Sequence, residues 1–234
     1  MSKALVTGIT GNIGRAVSAQ LLIEGWHVTG IARTVPEHYE GVYLSELVAL
    51  DLTDYEGVNQ FCLGQDGPFD LVVITHGNQY GITVGSEGFI EHYRRVLDGN
   101  LNSAVALTDG LISNKLLNPG SLIIYFSSIQ ATQPRGGRGP YAIAKSGLEG
   151  LARIVAVEQG PDIRAIALRL GQMSEPMKGI KFTQEQLTAI QSRTVLPWPT
   201  PTQVAEFCLA LYDQPGMSGN VIDLDSSHNL RVWP

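Results

Sequence analysis

A single doubly wound, parallel α/β domain is the fold class this sequence predicts, and three observations predict it. The chain has 234 residues and is 44% hydrophobic, enough for one domain with a substantial core and short for two. Seven short apolar runs, at about 3–7, 26–32, 46–50, 70–74, 121–126, 163–169 and 219–223, alternate with helical stretches. That alternation is the pattern of βα units, which lay parallel strands in one sheet. A glycine turn joins the first run to the first helix.

The first strand is Lys3-Ala4-Leu5-Val6-Thr7, and Thr7-Gly8-Ile9-Thr10-Gly11-Asn12-Ile13-Gly14 follows at once. Arg15 to Ile23 continues with helical apolar spacing (Ala16, Val17, Ala19, Leu21, Leu22) and stops near Gly25. Glycines placed between a strand and a helix allow a tight turn and close backbone approach to a pyrophosphate, which sits at the positive helix N-terminus. Thr7, Gly8, Thr10, Asn12, Ile13 and Gly14 are therefore expected cofactor contacts. A purely structural turn is the alternative, and its position in the first strand-helix unit favours the cofactor.

The second strand ends in Ala32-Arg33. An acid at such a strand end would hold the ribose hydroxyls of NAD, whereas an Arg accommodates the 2′-phosphate of NADP. The acid is absent and the guanidinium present, so Arg33 points to NADP(H) over NAD(H); an ordinary surface Arg is the other reading.

The fifth strand, Leu122-Ile123-Ile124-Tyr125-Phe126, reads as buried and ends in Ser127-Ser128. One short Gly-rich loop later, Tyr141-Ala142-Ile143-Ala144-Lys145 opens a helix. Residues four apart on a helix share a face, so the Lys145 ammonium is expected to favour the ionised form of the Tyr141 phenol. A free phenol titrates near ~10, and a lowered one can exchange a proton with a carbonyl or alcohol oxygen near neutral pH. The Ser128 hydroxyl, brought beside it, would hydrogen-bond the substrate oxygen as charge develops there.

At these residues the chain resembles the short-chain dehydrogenase/reductase family, single-domain branch, from Lys3 to about Asp225. The resemblance implies a Rossmann-type sheet, an NAD(P) cofactor and a catalytic tetrad of Asn100, Ser128, Tyr141 and Lys145. Asn100 falls where the family keeps a helix-kinking Asn that anchors a water on the proton path. Asp51-Leu52 resembles the pair that contacts adenine, and Thr75-His76-Gly77 stands where an Asn-Ala-Gly turn is usual. Tyr141 and Lys145 also reach the cofactor in that family, and Leu170-Gly171 replaces its usual Pro-Gly. Gly8, Gly11 and Gly14 are spaced as in the family's longer sugar-nucleotide branch. Glu175 stands where a Thr commonly binds the cofactor, with Ser174 as the candidate replacement, and Ser226-Ser227 replaces a common Gly-Gly.

The implied activity is an NADPH-dependent carbonyl reductase, working reversibly as an alcohol dehydrogenase on a small ketone or alcohol. A sugar-nucleotide epimerase or dehydratase is a rival that needs an additional substrate domain. A non-catalytic NADP(H)-binding regulator is the second rival, and such proteins usually lose the Tyr or the Lys. A homodimer or homotetramer is expected, because the helix from Tyr141 carries Leu148, Leu151, Ile154, Val155 and Val157 over more than one stripe.

The remaining residues bound these readings. Net charge −6 with dispersed Lys and Arg predicts no nucleic-acid partner. No apolar run approaches a membrane span, and Met1-Ser2-Lys3 leads straight into the first strand, so a cytoplasmic protein without signal peptide is expected. Cys62 and Cys208 read as buried and reduced, and the 5 His show no metal-ligand spacing. His76 reads as a satisfied loop histidine. Arg135 and Arg138 read as part of a solvated loop, with an anionic substrate as the alternative. Residues 171–199 are long for a βα connection and are expected to form a substrate lid carrying Met173, Met177, Phe182 and Trp198, a packed surface helix being the other reading. Thr183 and Gln186 resemble a capping box opening a short helix there.

Overall fold

The computed structural model describes residues 1–34, 44–175 and 183–228. Seven parallel strands form one sheet in the order β3-β2-β1-β4-β5-β6-β7. They are β1 (Lys3–Thr7), β2 (His27–Ala32), β3 (Glu46–Ala49), β4 (Phe69–Ile74), β5 (Leu117–Ser128), β6 (Ile163–Leu170) and β7 (Val221–Leu224). The order reverses direction between β1 and β4, and it is at such a switch point that α/β sheets open a crevice for ligands.

Strand residues alternate between two cores. Ala4 and Val6 of β1 and Leu71 and Val73 of β4 join one cluster, packed by α1 (Asn12–Ile23) and α7 (Pro201–Tyr212). Leu5, Val72 and Ile74 join the other, under α2 (Tyr55–Leu63), α4 (Ser103–Ser113) and α5 (Gly139–Gln159). Because both faces are covered, the central strands are unbroken apolar runs, which makes them legible in the sequence. Between α3 (Phe89–Leu97) and α4 a π-helical turn, Asp98–Asn102, interrupts one long helix at Asn100.

The strand bounds differ from the expected ones where backbone geometry intervenes. β5 runs on through Ser127 and Ser128, since all of Ser121 to Ser128 pair with β6. β7 begins only at Val221, because Gly219 has a φ of +74° and its N–H turns to Ala165 O. Trp26 is held to the end of α1 by its N–H on Leu21 O, so β2 starts one residue later.

Both short helices after β6 open on capping boxes. In α6 (Gln184–Gln191) the expected Thr183–Gln186 pair is present, with Thr183 Oγ1 accepting from Gln186 N at 3.2 Å. In α7 Thr200 and Gln203 make the same reciprocal bonds. Thr200→Ala should lower global stability by about 1 kcal/mol, because one orphan N–H loses its acceptor. Urea unfolding with an unchanged m-value is the measurement that checks it.

Cys62 and Cys208 are buried and free, and burial pushes their thiols up to about 11 and about 12. Among the described residues no helix is long and apolar enough to cross a membrane, and no group of three His, Cys, Asp or Glu could hold a metal ion.

Candidate active site

The C-terminal ends of β1, β2, β4, β5 and β6 open into one cleft of about 490 Å³. It is lined by Gly8, Thr10, Asn12, Ile13 and Gly14, by Arg33, by Asp51 and Leu52, and by Thr75, Gly77 and Gly171. Asn100, Ser128, Tyr141 and Lys145 line the same cleft. Positions scattered over most of the chain thus meet because β1, β4 and β5 are neighbours in the sheet.

The glycine turn has a steric reason for each end. Gly8 adopts a φ of +65°, and a Cβ there would lie 2.9 Å from His76 Cα. A Cβ on Gly14 would collide with the Gly8 carbonyl oxygen, so α1 can pack this close only with glycine. The first turn of α1 carries neither an acid nor a side-chain cap. Its backbone N–H groups and positive dipole end therefore suit the phosphates of a dinucleotide. At the far rim Asp51 accepts from Thr53 N at 3.0 Å and Thr53 Oγ1 at 2.8 Å, and the bond from the Thr53 N–H is the main cause that holds its carboxyl below the usual value.

Thr7 is the exception among the expected cofactor contacts. It is fully buried and lies behind the cleft rather than in it, because its hydroxyl is taken by Thr75 N at 3.2 Å and His76 Nδ1 at 2.7 Å. It shapes the turn from the rear.

The reacting end is built by α5 lying across β5. Lys145 Nζ donates to Phe126 O at 2.7 Å and sits 5.5 Å from the Tyr141 ring centre. Behind it Ser127 Oγ donates to Glu149 Oε1 at 2.7 Å. Glu149 is in turn gripped by Arg169, whose Nε and Nη2 reach its two oxygens at 2.9 and 2.8 Å. This bidentate pair ties β5, α5 and β6 together directly beneath Ser128 and Lys145. Burial raises the Glu149 carboxyl, but the bonds from Arg169 and Ser127 outweigh it and hold it below its ordinary value.

The expected lowering of the Tyr141 phenol is not what the site does. Burial pushes that phenol above its ordinary value, opposed by hydrogen bonds with Gln79 and Ser128 and by the Arg138 charge. Lys145 is buried too, which pushes its ammonium down to about 8. For both groups desolvation is the leading cause.

Asn100 is buried, and both ends of its amide are hydrogen-bonded. Oδ1 accepts from Asn78 N at 3.0 Å, while Nδ2 donates to Val96 O at 2.8 Å and Asn78 Oδ1 at 3.3 Å. A Cβ on Gly77 would strike Asn100 Oδ1, which explains a glycine there. Asn100 therefore braces the β4 loop against the π-helical turn.

Several cleft residues left no signal in the sequence. Asn78, Gln79, Tyr80 and Ser103 line it, and all belong to a loop or a helix start with no periodic pattern. Arg138 departs from the solvated-loop reading: it is half-buried, its guanidinium donates to the Gln79 carbonyl, and its residue bridges Ile82. Arg135 stays exposed beside Arg193 and Arg138. In the segment expected as a lid, Met173 and Glu175 line the cleft and Ser174 N donates to Pro199 O at 3.1 Å. Trp198 Nε1 donates to Thr194 Oγ1 at 3.1 Å, while Met177 and Phe182 lie outside the described residues.

Known proteins resemble the whole arrangement. A family profile described as enoyl-(acyl carrier protein) reductase matches residues 8–226. The acetoacetyl-CoA reductase of Acinetobacter sp. (strain RA3849) is 27% identical over 66% of this chain and 67% of its own length. The L-xylulose reductase of Bos taurus is 29% identical over 79% of this chain and 77% of its own. A short chain dehydrogenase family protein from Francisella tularensis subsp. tularensis SCHU S4 shares the fold. Its crystal structure, at 22% identity, matches with a TM-score of 0.85 over 99% of this chain and 100% of that one. A profile match of this extent, on a sheet of this order, leaves one conclusion: the chain belongs to the short-chain dehydrogenase/reductase family of NAD(P)-dependent oxidoreductases.

Proposed function

We propose that the protein is an NADPH-dependent ketone reductase that runs reversibly as an alcohol dehydrogenase. The observation that carries this reading is the placement of Ser128, Tyr141 and Lys145 in the same cleft as the glycine turn. Relatives named for reduction of acetoacetyl-CoA and L-xylulose support carbonyl reduction as the kind of reaction.

The cofactor, when bound, supplies the hydride. Turn residues 8–14 would hold the two phosphates, Arg33 the 2′-phosphate, and Asp51 with Leu52 the adenine. Thr75, Gly77 and Gly171 would border the nicotinamide, and Lys145 would hold its ribose. Tyr141 would then give its proton to the substrate oxygen. Ser128 would donate to the same oxygen: its Oγ already accepts from Gln130 N at 3.3 Å, so its own proton is the one left to offer. Asn100 would support a proton path from the π-helical turn, its amide being held by Asn78 and Val96. Residues 171–199 would close over substrate, with the Ser174–Pro199 bond gathering the segment's two ends at the cleft.

NADPH consumption against a panel of 3-oxoacyl thioesters and ketoses, with dinucleotide binding measured in parallel, tests the reading. Tight NADPH binding without turnover of any panel member would instead leave a cofactor-binding regulator.

A homodimer or homotetramer belongs to the same proposal. Along α5, Leu148 and Val155 are buried, but Ile143, Ile154 and Val157 are 50%, 47% and 78% exposed. A helix serving only its own sheet needs one apolar stripe, and the second asks for a partner. Sedimentation at micromolar concentration should show a dimer or tetramer; a lone 25.3 kDa species would refute it.

A further inference from the structure

His76 follows the end of β4 and spans the gap between two parts of the site. Its Nδ1 lies 2.7 Å from Thr7 Oγ1, and its Nε2 lies 2.8 Å from Ser103 Oγ. Thr7 leads directly into the glycine turn, and Ser103 is the first residue after the π-helical turn that carries Asn100. We propose that His76 is a positioning residue with two separable arms, one holding the cofactor turn through Thr7 and the other holding the Asn100 turn through Ser103. This rests on the reductase reading above for its kinetic consequences, but not for its structural ones.

Thr7 Oγ1 accepts from Thr75 N and makes its second hydrogen bond with His76 Nδ1. Of the two ring nitrogens of a neutral imidazole one donates and the other accepts, and Thr7 and Ser103 hydroxyls can each take either role, so both bonds are made at once. Thr7 and Ser103 are 0% and 1% exposed, so losing either bond leaves a buried hydroxyl without its partner. Burial, helped by the Lys145 charge, pushes the imidazole down to about 3, which keeps the ring neutral across ordinary pH. The fit is close on the turn side as well, since a Cβ on Gly8 would lie 2.9 Å from both His76 Cα and His76 N. On the other side, Asn78 N donates to Asn100 Oδ1 from two residues further along the same loop. Moving His76 therefore moves the phosphate turn and the Asn100 turn relative to each other.

Two conservative variants separate the arms. In His76→Asn the amide oxygen stands near the Nδ1 position and can accept from Thr7, but the side chain is too short for Ser103. In His76→Gln the amide stands near the Nε2 position and can bond Ser103, but Thr7 loses its partner. Amide hydrogen exchange on the full chain is the primary readout. His76→Asn should deprotect residues 98–103 and spare 8–14, and His76→Gln should do the reverse. With NADPH, His76→Asn should lower kcat about tenfold at unchanged Kd, and His76→Gln should raise Kd about tenfold at nearly unchanged kcat, each being roughly one lost hydrogen bond. Ser103→Ala should reproduce His76→Asn and add little to it in the double variant. Parallel loss of protection in both segments for both variants would reduce His76 to a structural core residue and overturn the proposal. If no ketone is turned over, the exchange pattern and NADPH Kd still decide it, so failure of the reductase reading remains distinguishable.

Discussion

Tyr141→Phe should lower turnover at least a hundredfold while NADPH binding stays as in the wild type. A general acid contributes roughly 10²–10⁴ in rate, and this substitution removes the acidic proton while keeping the ring. The ring is 6% exposed and is kept by the substitution, so its packing survives. Lys145→Met is the informative companion: it should weaken cofactor binding, because the ammonium would hold the nicotinamide ribose, and lose turnover with it. A Tyr141→Phe enzyme keeping more than about a tenth of wild-type kcat would exclude Tyr141 as the proton donor. The direction of the Tyr141 shift adds a pH signature. Held above its ordinary value by burial, the phenol stays protonated through the neutral range. Ketone reduction, which needs the protonated form, should therefore stay flat there. Alcohol oxidation needs the ionised form and should rise toward alkaline pH, as paired pH profiles would show.

Preference for NADPH over NADH should be on the order of tenfold to a hundredfold, and Arg33→Asp should reverse it. A hydrogen bond to a charged group contributes about 1.5–3 kcal/mol, and Arg33 can offer a bidentate one to a phosphate. Arg33 is exposed at the rim of the cleft, whereas Ala32 is 4% exposed and packs into the core beside α1. An acid at position 32 would thus bury a carboxylate; at position 33 it would repel the 2′-phosphate and accept from ribose hydroxyls instead. Titrating both cofactors into wild type and variant decides the matter. Equal wild-type affinities would return Arg33 to the ordinary surface.

Most of the fold can be read from the chain because its signals are local. The unbroken runs Leu5-Val6, Leu71-Val72-Val73-Ile74 and Leu122 to Phe126 mark strands covered on both faces, and the Thr183–Gln186 pair marks a helix start by spacing alone. Gly8 and Gly14 are legible for a similar reason: a backbone that must turn sharply and approach its neighbour leaves glycine behind. Inferences about surroundings fare worse. Spacing puts Lys145 one turn from Tyr141 and suggests a lowered phenol, but the shift is set by how much protein encloses the hydroxyl. Thr7 resembles a cofactor contact by its place beside Gly8, yet its hydroxyl faces His76 and Thr75.

By itself, then, the sequence determined the strands and the glycine turn and pointed to the candidate reactive residues, since each is written in periodicity or in short spacing. Only the tertiary structure decided that β1 lies between β2 and β4, and so that Thr7, His76 and Ser103 meet across about a hundred residues of chain. The reason is physical: strand order is chosen by the packing of whole layers on both faces of the sheet, and contacts and burial between distant residues are consequences of that choice.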